Sequence, residues 1–299
     1  MTEARRGTVV VGVDDSSHTW LAAEWAAHEA ELRRSVLRLV HAAGPGTELG
    51  RARTGAGVAE QVLEGATGLL DAIRERLASS RPGLQIDTFL SQDAPAEAVL
   101  AAAEDADLIV VGSRGRGGFA GLLLGSVSLK VAAHADRPVV VVRGGRQQPL
   151  HEGIVVGVRD DRDEEAVRFA LAEAELRRVG VRLVHAWTPL GQAGLMVPQV
   201  DRIDEERQAH AQLLNHVARP VADHPKVHVD TELTVDTPAG ALVDASRQAG
   251  LVVVPRHPAE GRLGLHLGSV VHAVLHHAAC PVAVVPTNRS RPQPPPRPA

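Results

Sequence analysis

The sequence predicts an α/β fold of two tandem doubly wound domains, each a five-stranded parallel sheet in the order 3-2-1-4-5 with helices on both faces. Three observations predict it. Runs such as VVVGV (9–13) and LIVVG (108–112) are apolar at nearly every position instead of alternating, as in strands covered on both sides. Such runs alternate with amphipathic stretches of helical length. The whole pattern is also written twice. AAHEAELRRSVLRLVHA (26–42) and ALAEAELRRVGVRLVHA (170–186) agree at twelve of seventeen positions, an offset of 144. A repeat this long is a duplicated domain, not a solenoid unit.

In the first half, strands are expected at 8–13, 36–42, 84–90, 107–112 and 138–143. Helices are expected at 17–34, 58–79, 95–104 and 126–135. Ser16 or Ser17 is placed to cap the first helix, and Asp93 with Pro95 to open the third. The second half repeats these elements. GIVVGVR (153–159) answers TVVVGVD (8–14), VDTPAGALV (235–243) answers QDAPAEAVL (92–100), and CPVAVVP (280–286) answers RPVVVVR (137–143). The expected domains are residues 1–145 and 150–287, joined through GGRQQPLHE (144–152). The Pro-rich tail 288–299 is expected to be disordered.

Bulk composition narrows the function. The 299 residues suit two domains, and a formal charge of −4 offers no basic field for nucleic acid. A single cysteine, Cys280, excludes an internal disulfide and fits a reducing compartment. No apolar run reaches the roughly 18 residues of a membrane helix. A cytoplasmic protein with no nucleic-acid or membrane partner is expected.

In a doubly wound sheet, ligands sit beyond the carboxyl ends of the strands where the strand order reverses, here between the first and fourth strands. The first strand ends in Gly12-Val13-Asp14. The fourth runs into VVGSRGRGGFAGLLLGSVS (110–128), with six glycines. This is no Walker A loop, because Gly-Lys-Ser/Thr occurs nowhere in the chain. It shows Gly112-x-x-Gly115, nine residues, then Gly125-Ser126. Glycines let backbone N–H groups approach an anion. Ser126 is expected to cap a helix whose first N–H groups, at Val127 and Ser128, point toward it. Arg114 and Arg116 add charge there or are simply solvated. A phosphate chain satisfies these donors; the bland alternative is a surface loop and an ordinary helix start.

This G-2x-G-9x-G(S/T) spacing, with a first strand ending V-G-V-D, resembles the universal stress protein family, specifically its tandem two-domain members, over nearly all of residues 8–287. The resemblance implies ATP or ADP binding with little turnover and a stress-response regulatory role. By residue, it implies Asp14 on the ribose side and Ala42, behind His41, against adenine. Gly112, Gly115, Gly125 and Ser126, with Arg114, Val127 and Ser128, fall on the phosphates. Gly12 and Val111 complete the expected nucleotide-binding set. ATP, alone or with Mg2+, is the implied cofactor. Pairing of the last strands is the implied mode of dimerisation, here available within one chain as an intramolecular pseudo-dimer, with protein partners and a homodimer beyond it.

The second half departs from the pattern. Gly112 becomes Pro255, Gly115 becomes Pro258 and Asp14 becomes Arg159; only Gly268-Ser269 remains. Proline has no N–H to give a phosphate, and arginine cannot accept from a ribose hydroxyl. The second domain is therefore expected to have lost nucleotide binding and to serve as a structural partner. No catalytic constellation is expected: the chain has no GxSxG and no HExxH, and the Asp14-Asp15 side chains diverge. His41 and His185 share a repeated architectural position. His272 and His276 make a two-ligand metal hint outweighed by packing, and Cys280 reads as a small buried residue. A slow ATPase or phosphotransferase, and a non-binding scaffold, are the rival readings.

Overall fold

The computed structural model describes residues 7–16, 18–44, 56–115, 124–143, 153–188, 200–258 and 267–287. Ser17, Arg116, the linker 144–152 and the tail 288–299, all singled out above, lie outside the described residues.

Among the described residues ten strands form one sheet. In the first half these are β1 (Thr8–Gly12), β2 (Val36–Ala42), β3 (Ile86–Ser91), β4 (Leu108–Gly112) and β5 (Val139–Val142). In the second they are β6 (Ile154–Gly157), β7 (Val181–Trp187), β8 (Val229–Val235), β9 (Leu251–Arg256) and β10 (Val282–Pro286). Their order is β3-β2-β1-β4-β5-β10-β9-β6-β7-β8. Each half is parallel and ordered 3-2-1-4-5. The halves meet at an antiparallel seam in which Val282 faces Val141 and Val284 faces Val139. The two apolar final strands find each other, which removes two open sheet edges.

The helices are α1 (Thr19–Arg33), α2 (Ala56–Ser80), α3 (Pro95–Ala102), α4 (Ser126–His134), α5 (Glu164–Arg177), α6 (Val200–Val217), α7 (Pro238–Ala245) and α8 (Ser269–His277). Alternate residues of one strand serve opposite layers. Val9 and Val11 belong to the core containing Ala26 of α1 and Leu77 of α2, whereas Val10 belongs to the core containing Val99 of α3 and Val131 of α4. That division explains why β1 is apolar throughout. Both cores continue across the seam, through Val142 and Val285 on one face and Val141 and Val284 on the other.

Two further locks hold the halves together. Arg143 Nη2 donates to the carbonyl of His276 at 2.8 Å, and its other terminal nitrogen donates to that of Leu275, at the end of α8. Arg256 does the same for Ala133 and Ala135 at the end of α4. Each half thus supplies a cation to the orphan carbonyls of the other half's last helix. On the opposite face α1 and α5 cross, and the repeated EAELRR segment meets its own copy. Glu29 binds Arg33 at 2.5 Å and also Arg177; Glu173 lies 2.9 Å from Arg177 and also binds Arg33. Both carboxylates are fully buried.

The helix starts differ from expectation. The residue before α1 is His18 and that before α3 is Ala94, neither making a side-chain cap. Asp93 turns back instead, accepting from Ser91 Oγ at 2.8 Å.

Candidate functional site

In the first domain β1 delivers Gly12 and then Asp14 to the switch point. A Cβ on Gly12 would stand 2.9 Å from Val99 Cγ2, so β1 and α3 approach this closely only through a glycine. Asp14 Oδ1 accepts from Ser16 N–H at 3.0 Å, Ser16 Oγ at 2.5 Å and Thr19 Oγ1 at 2.5 Å; Asp14 N–H donates to Thr19 Oγ1 at 2.8 Å. Ser16 therefore donates to Asp14 rather than accepting from α1, which corrects the expected cap. The other carboxylate oxygen lies toward the β4 loop: a Cβ on Gly115 would stand 2.6 Å from Asp14 Oδ2. Any side chain at 115 would collide with that carboxylate.

The connection from β4 to α4 is pinned at both ends. Ser113 N–H donates to Val142 O and Gly125 N–H donates to Ser113 O, each at 2.7 Å. Ser128 Oγ donates to Gly112 O at 2.6 Å. The N-cap of α4 is Gly125, with φ −81° and ψ 154°, and it makes no side-chain cap. This corrects the expectation that Ser126 caps: Ser126 is the first helical residue. The helix's first ladder bond is Leu129 N–H to Gly125 O at 3.1 Å, which leaves the amides of Ser126, Val127 and Ser128 outside the ladder. The Ser128 hydroxyl is committed to Gly112, so that residue has its amide left to offer.

Arg114 is exposed, beside Arg143, whose guanidinium pKa is lowered by burial and by Arg114. Val111 is buried in the core with Val99. Ala42 ends β2 on the same side of the sheet, Val40 being in register with Gly12. The preceding His41 is buried; its Nδ1–H donates to Val13 O at 2.8 Å, and its Nε2 has no hydrogen-bond partner among the described residues. The structure thus gathers Asp14, Gly112, Gly115, Gly125 and the α4 amides in one place. It puts Ala42 on the neighbouring strand end.

The second crevice is built differently. A cavity of about 590 Å³ opens there, bounded by the ends of β6, β7 and β9 and the starts of α7 and α8. Arg159 N–H donates to Asp163 Oδ2 at 2.6 Å, so Asp163, on the α5 side, does what Thr19 does in the first domain. Asp163 is fully buried, with its Oδ1 3.0 Å from His257 Nε2, and His257 occupies the position of Arg114. Asp160, Asp163 and His257 can each bring one metal-type ligand atom within 4.8 Å of the others. Both oxygens of Asp160 are, however, taken by Arg162, Oδ1 by its N–H at 3.0 Å and Oδ2 by Nη2 at 2.7 Å, as in a capped helix start.

His185 repeats the bond of His41, its Nδ1–H donating to Val158 O at 2.8 Å, but its Nε2 accepts from His210 Nδ1 at 2.8 Å. Burial and His185 lower the His210 pKa, in keeping with a neutral ring that donates through Nδ1. Trp187 lies against His210 with ring centroids 4.8 Å apart. Neither Trp187 nor His210 was legible as a site residue. The doubled Val-His-Ala at 40–42 and 184–186 marks the strand, but nothing local shows which turn of α6 meets it.

Comparison with known proteins agrees with this architecture. The family model described as "Universal stress protein family" matches residues 5–143 and again 152–286. A universal stress protein of Mycolicibacterium smegmatis is 31% identical over 285 residues, covering 93% of this chain and 96% of that protein. One of Mycobacterium tuberculosis is 34% identical over 286 residues, covering 92% and 95%. Among solved structures, a universal stress protein from Archaeoglobus fulgidus superposes with a TM-score of 0.71 at 16% identity, covering 95% of this chain and 100% of that one. With both halves matched and relatives of this identity spanning nearly its whole length, the chain belongs to the universal stress protein family.

Proposed function

We propose that the first domain binds ATP or ADP and that the protein works as a nucleotide-dependent stress-response regulator with little turnover. One observation carries this reading: a carboxylate from β1 and a ring of glycine and helix-start amides from the β4–α4 connection converge at the point where the strand order reverses. The α4 amides and the glycine backbone offer donors to a phosphate chain, and Arg114 adds charge. Asp14 Oδ2 faces the ribose side, while Oδ1 is occupied in holding α1. The buried Nε2 of His41 is an acceptor whenever the ring is neutral, because the Val13 carbonyl fixes the proton on Nδ1. Regulation then follows from linkage: a partner that prefers the nucleotide-bound form raises nucleotide affinity equally.

The second crevice, with proline at 255 and 258 and arginine at 159, takes no triphosphate. Titration calorimetry of the full chain with ATP, with and without Mg2+, is expected to give one site per chain. Two equivalent sites, or none, defeat the reading. Asp14→Ala is expected to abolish binding, and amide exchange across residues 113–125 to slow when ATP is added. Sustained ADP release that disappears in Asp14→Ala would turn the conclusion toward a slow ATPase.

A further inference from the structure

The second-domain cavity is where the observations reach beyond a nucleotide in the first domain. Its walls divide by chemistry. One end is aromatic and apolar: Trp187 and His210, with the His185 ring 4.8 Å beyond His210. Below them Leu242 leans on Gly157, where a Cβ would stand 2.6 Å from Leu242 Cδ1. Trp187 is only 6% exposed, so this wall is preformed.

The other end suits a negative charge. Helix α8 begins at Ser269 after Gly268, and its first ladder bond is His272 N–H to Gly268 O at 3.0 Å. The amides of Ser269, Val270 and Val271 are outside the ladder, and all three residues line the cavity. Among the described residues a Cβ on Gly268 would meet nothing within 4 Å. Arg159 also lines the cavity; its side chain is 63% exposed and, among the described residues, is tethered by a 3.6 Å contact to Asp160, a pairing worth little at a surface. The acid that stands at this point in the first domain is here a cation, and Asp163 is withdrawn into the interior. His257, its side chain nine-tenths buried, forms part of the cavity wall with its Nε2 3.0 Å from Asp163 Oδ1.

We propose that this cavity binds a planar aromatic ligand bearing a single anionic group, a carboxylate or one phosphate, with the ring against Trp187 and His210 and the charge between Arg159 and the start of α8. With Pro255 and Pro258 lacking N–H groups, the donors that the described residues offer at the anionic end are the α8 amides and Arg159, which suit one such group. The protein is then a two-ligand device, a nucleotide in front and a small aromatic acid behind. The rear site does not depend on the front one.

The test is titration calorimetry of the full chain with 1-naphthyl phosphate and with 1-naphthoate, which separate the two head groups. Binding near one per chain by either probe, undiminished by saturating ATP, is expected. Arg159→Glu, at an exposed position, is expected to weaken it by roughly tenfold or more, which is about 1.4 kcal/mol. Ser269→Pro removes one amide where proline is tolerated, at the first residue of a helix behind an extended Gly268 (ψ 157°), and is expected to weaken the phosphate probe. Unchanged thermal midpoints and ATP stoichiometry in both variants show that fold and front site are intact. No heat at millimolar probe, indifference to both substitutions, or displacement by ATP overturns the proposal.

Discussion

The two crevices of this molecule occupy equivalent places in one repeated fold, yet they are furnished with opposite chemistry. In front, β1 ends on a carboxylate and β4 on glycines, so an acid stands beside backbone that carries no side chains. Behind, the strand ends on an arginine, the glycines are prolines, and a buried aspartate has taken over holding the helix start. The sheet and its helices are preserved while the contents of the switch point have drifted. The scaffold and the site are therefore separable: the core tolerates changes at the mouth because mouth residues contribute little to either packed layer.

Substitutions can break that comparison directly. The largest effect is expected on importing the rear residue into the front. Gly115→Pro removes an amide and drives a ring into the Asp14 carboxylate, and ATP affinity should fall by roughly a hundredfold or more, about 2.7 kcal/mol or above, measured by calorimetry. Retained affinity would show that Gly115 plays no part. The reverse exchange should do nothing for ATP. Arg159→Asp restores an acid behind, but Pro255 and Pro258 still lack N–H groups, so the stoichiometry is expected to stay at one.

A second pair tests the symmetry at the crossing of α1 and α5. Burial, and then the neighbouring Glu29, raise the Glu173 pKa to about 7, whereas the two arginines hold Glu29 below its usual range despite its burial. Glu29→Gln should therefore cost more than Glu173→Gln in denaturant unfolding at pH 6, by roughly 1–3 kcal/mol. The sign of the pH effect follows. Folded Glu173 keeps its proton above the unfolded range, so its contribution is complete below about 4.5 and is lost as pH rises through about 7. Glu173→Gln should flatten that decline; equal costs and unchanged slopes would refute the asymmetry. The smallest effect is expected where the halves agree. Arg34 and Arg178 both end their helices in the left-handed region, at φ 54° and 59°. Glycine at either should stabilise by roughly 0.5 kcal/mol, by similar amounts, in thermal unfolding.

Much of this was legible because it is local or periodic. Unbroken valine runs announced buried parallel strands, and the repeat announced two domains. The family resemblance implied that RPVVVVR and CPVAVVP could pair within one chain, and these strands form the seam. Gly112, Gly115 and Gly125 were visible by spacing. What escaped depends on contacts between distant segments. Ser16 and Ser126 look like helix caps in the sequence, but Asp14 outcompetes one and Gly125 precedes the other. Nothing local shows that Glu29 and Arg33 are covered by the second copy of their own motif. Trp187 and His210 belong to elements whose relative register only tertiary packing decides.

The crossed arginines carry a consequence for any attempt to divide the protein. A chain ending at residue 143 would bare the outer rim of β5, uncover the terminal carbonyls of α4, and leave Arg143 reaching for a helix no longer there. The nearest surface offering the same complement is another copy of that fragment. Half a molecule should consequently be found as a pair in sedimentation, rebuilding from two strangers the union that the intact polypeptide makes alone.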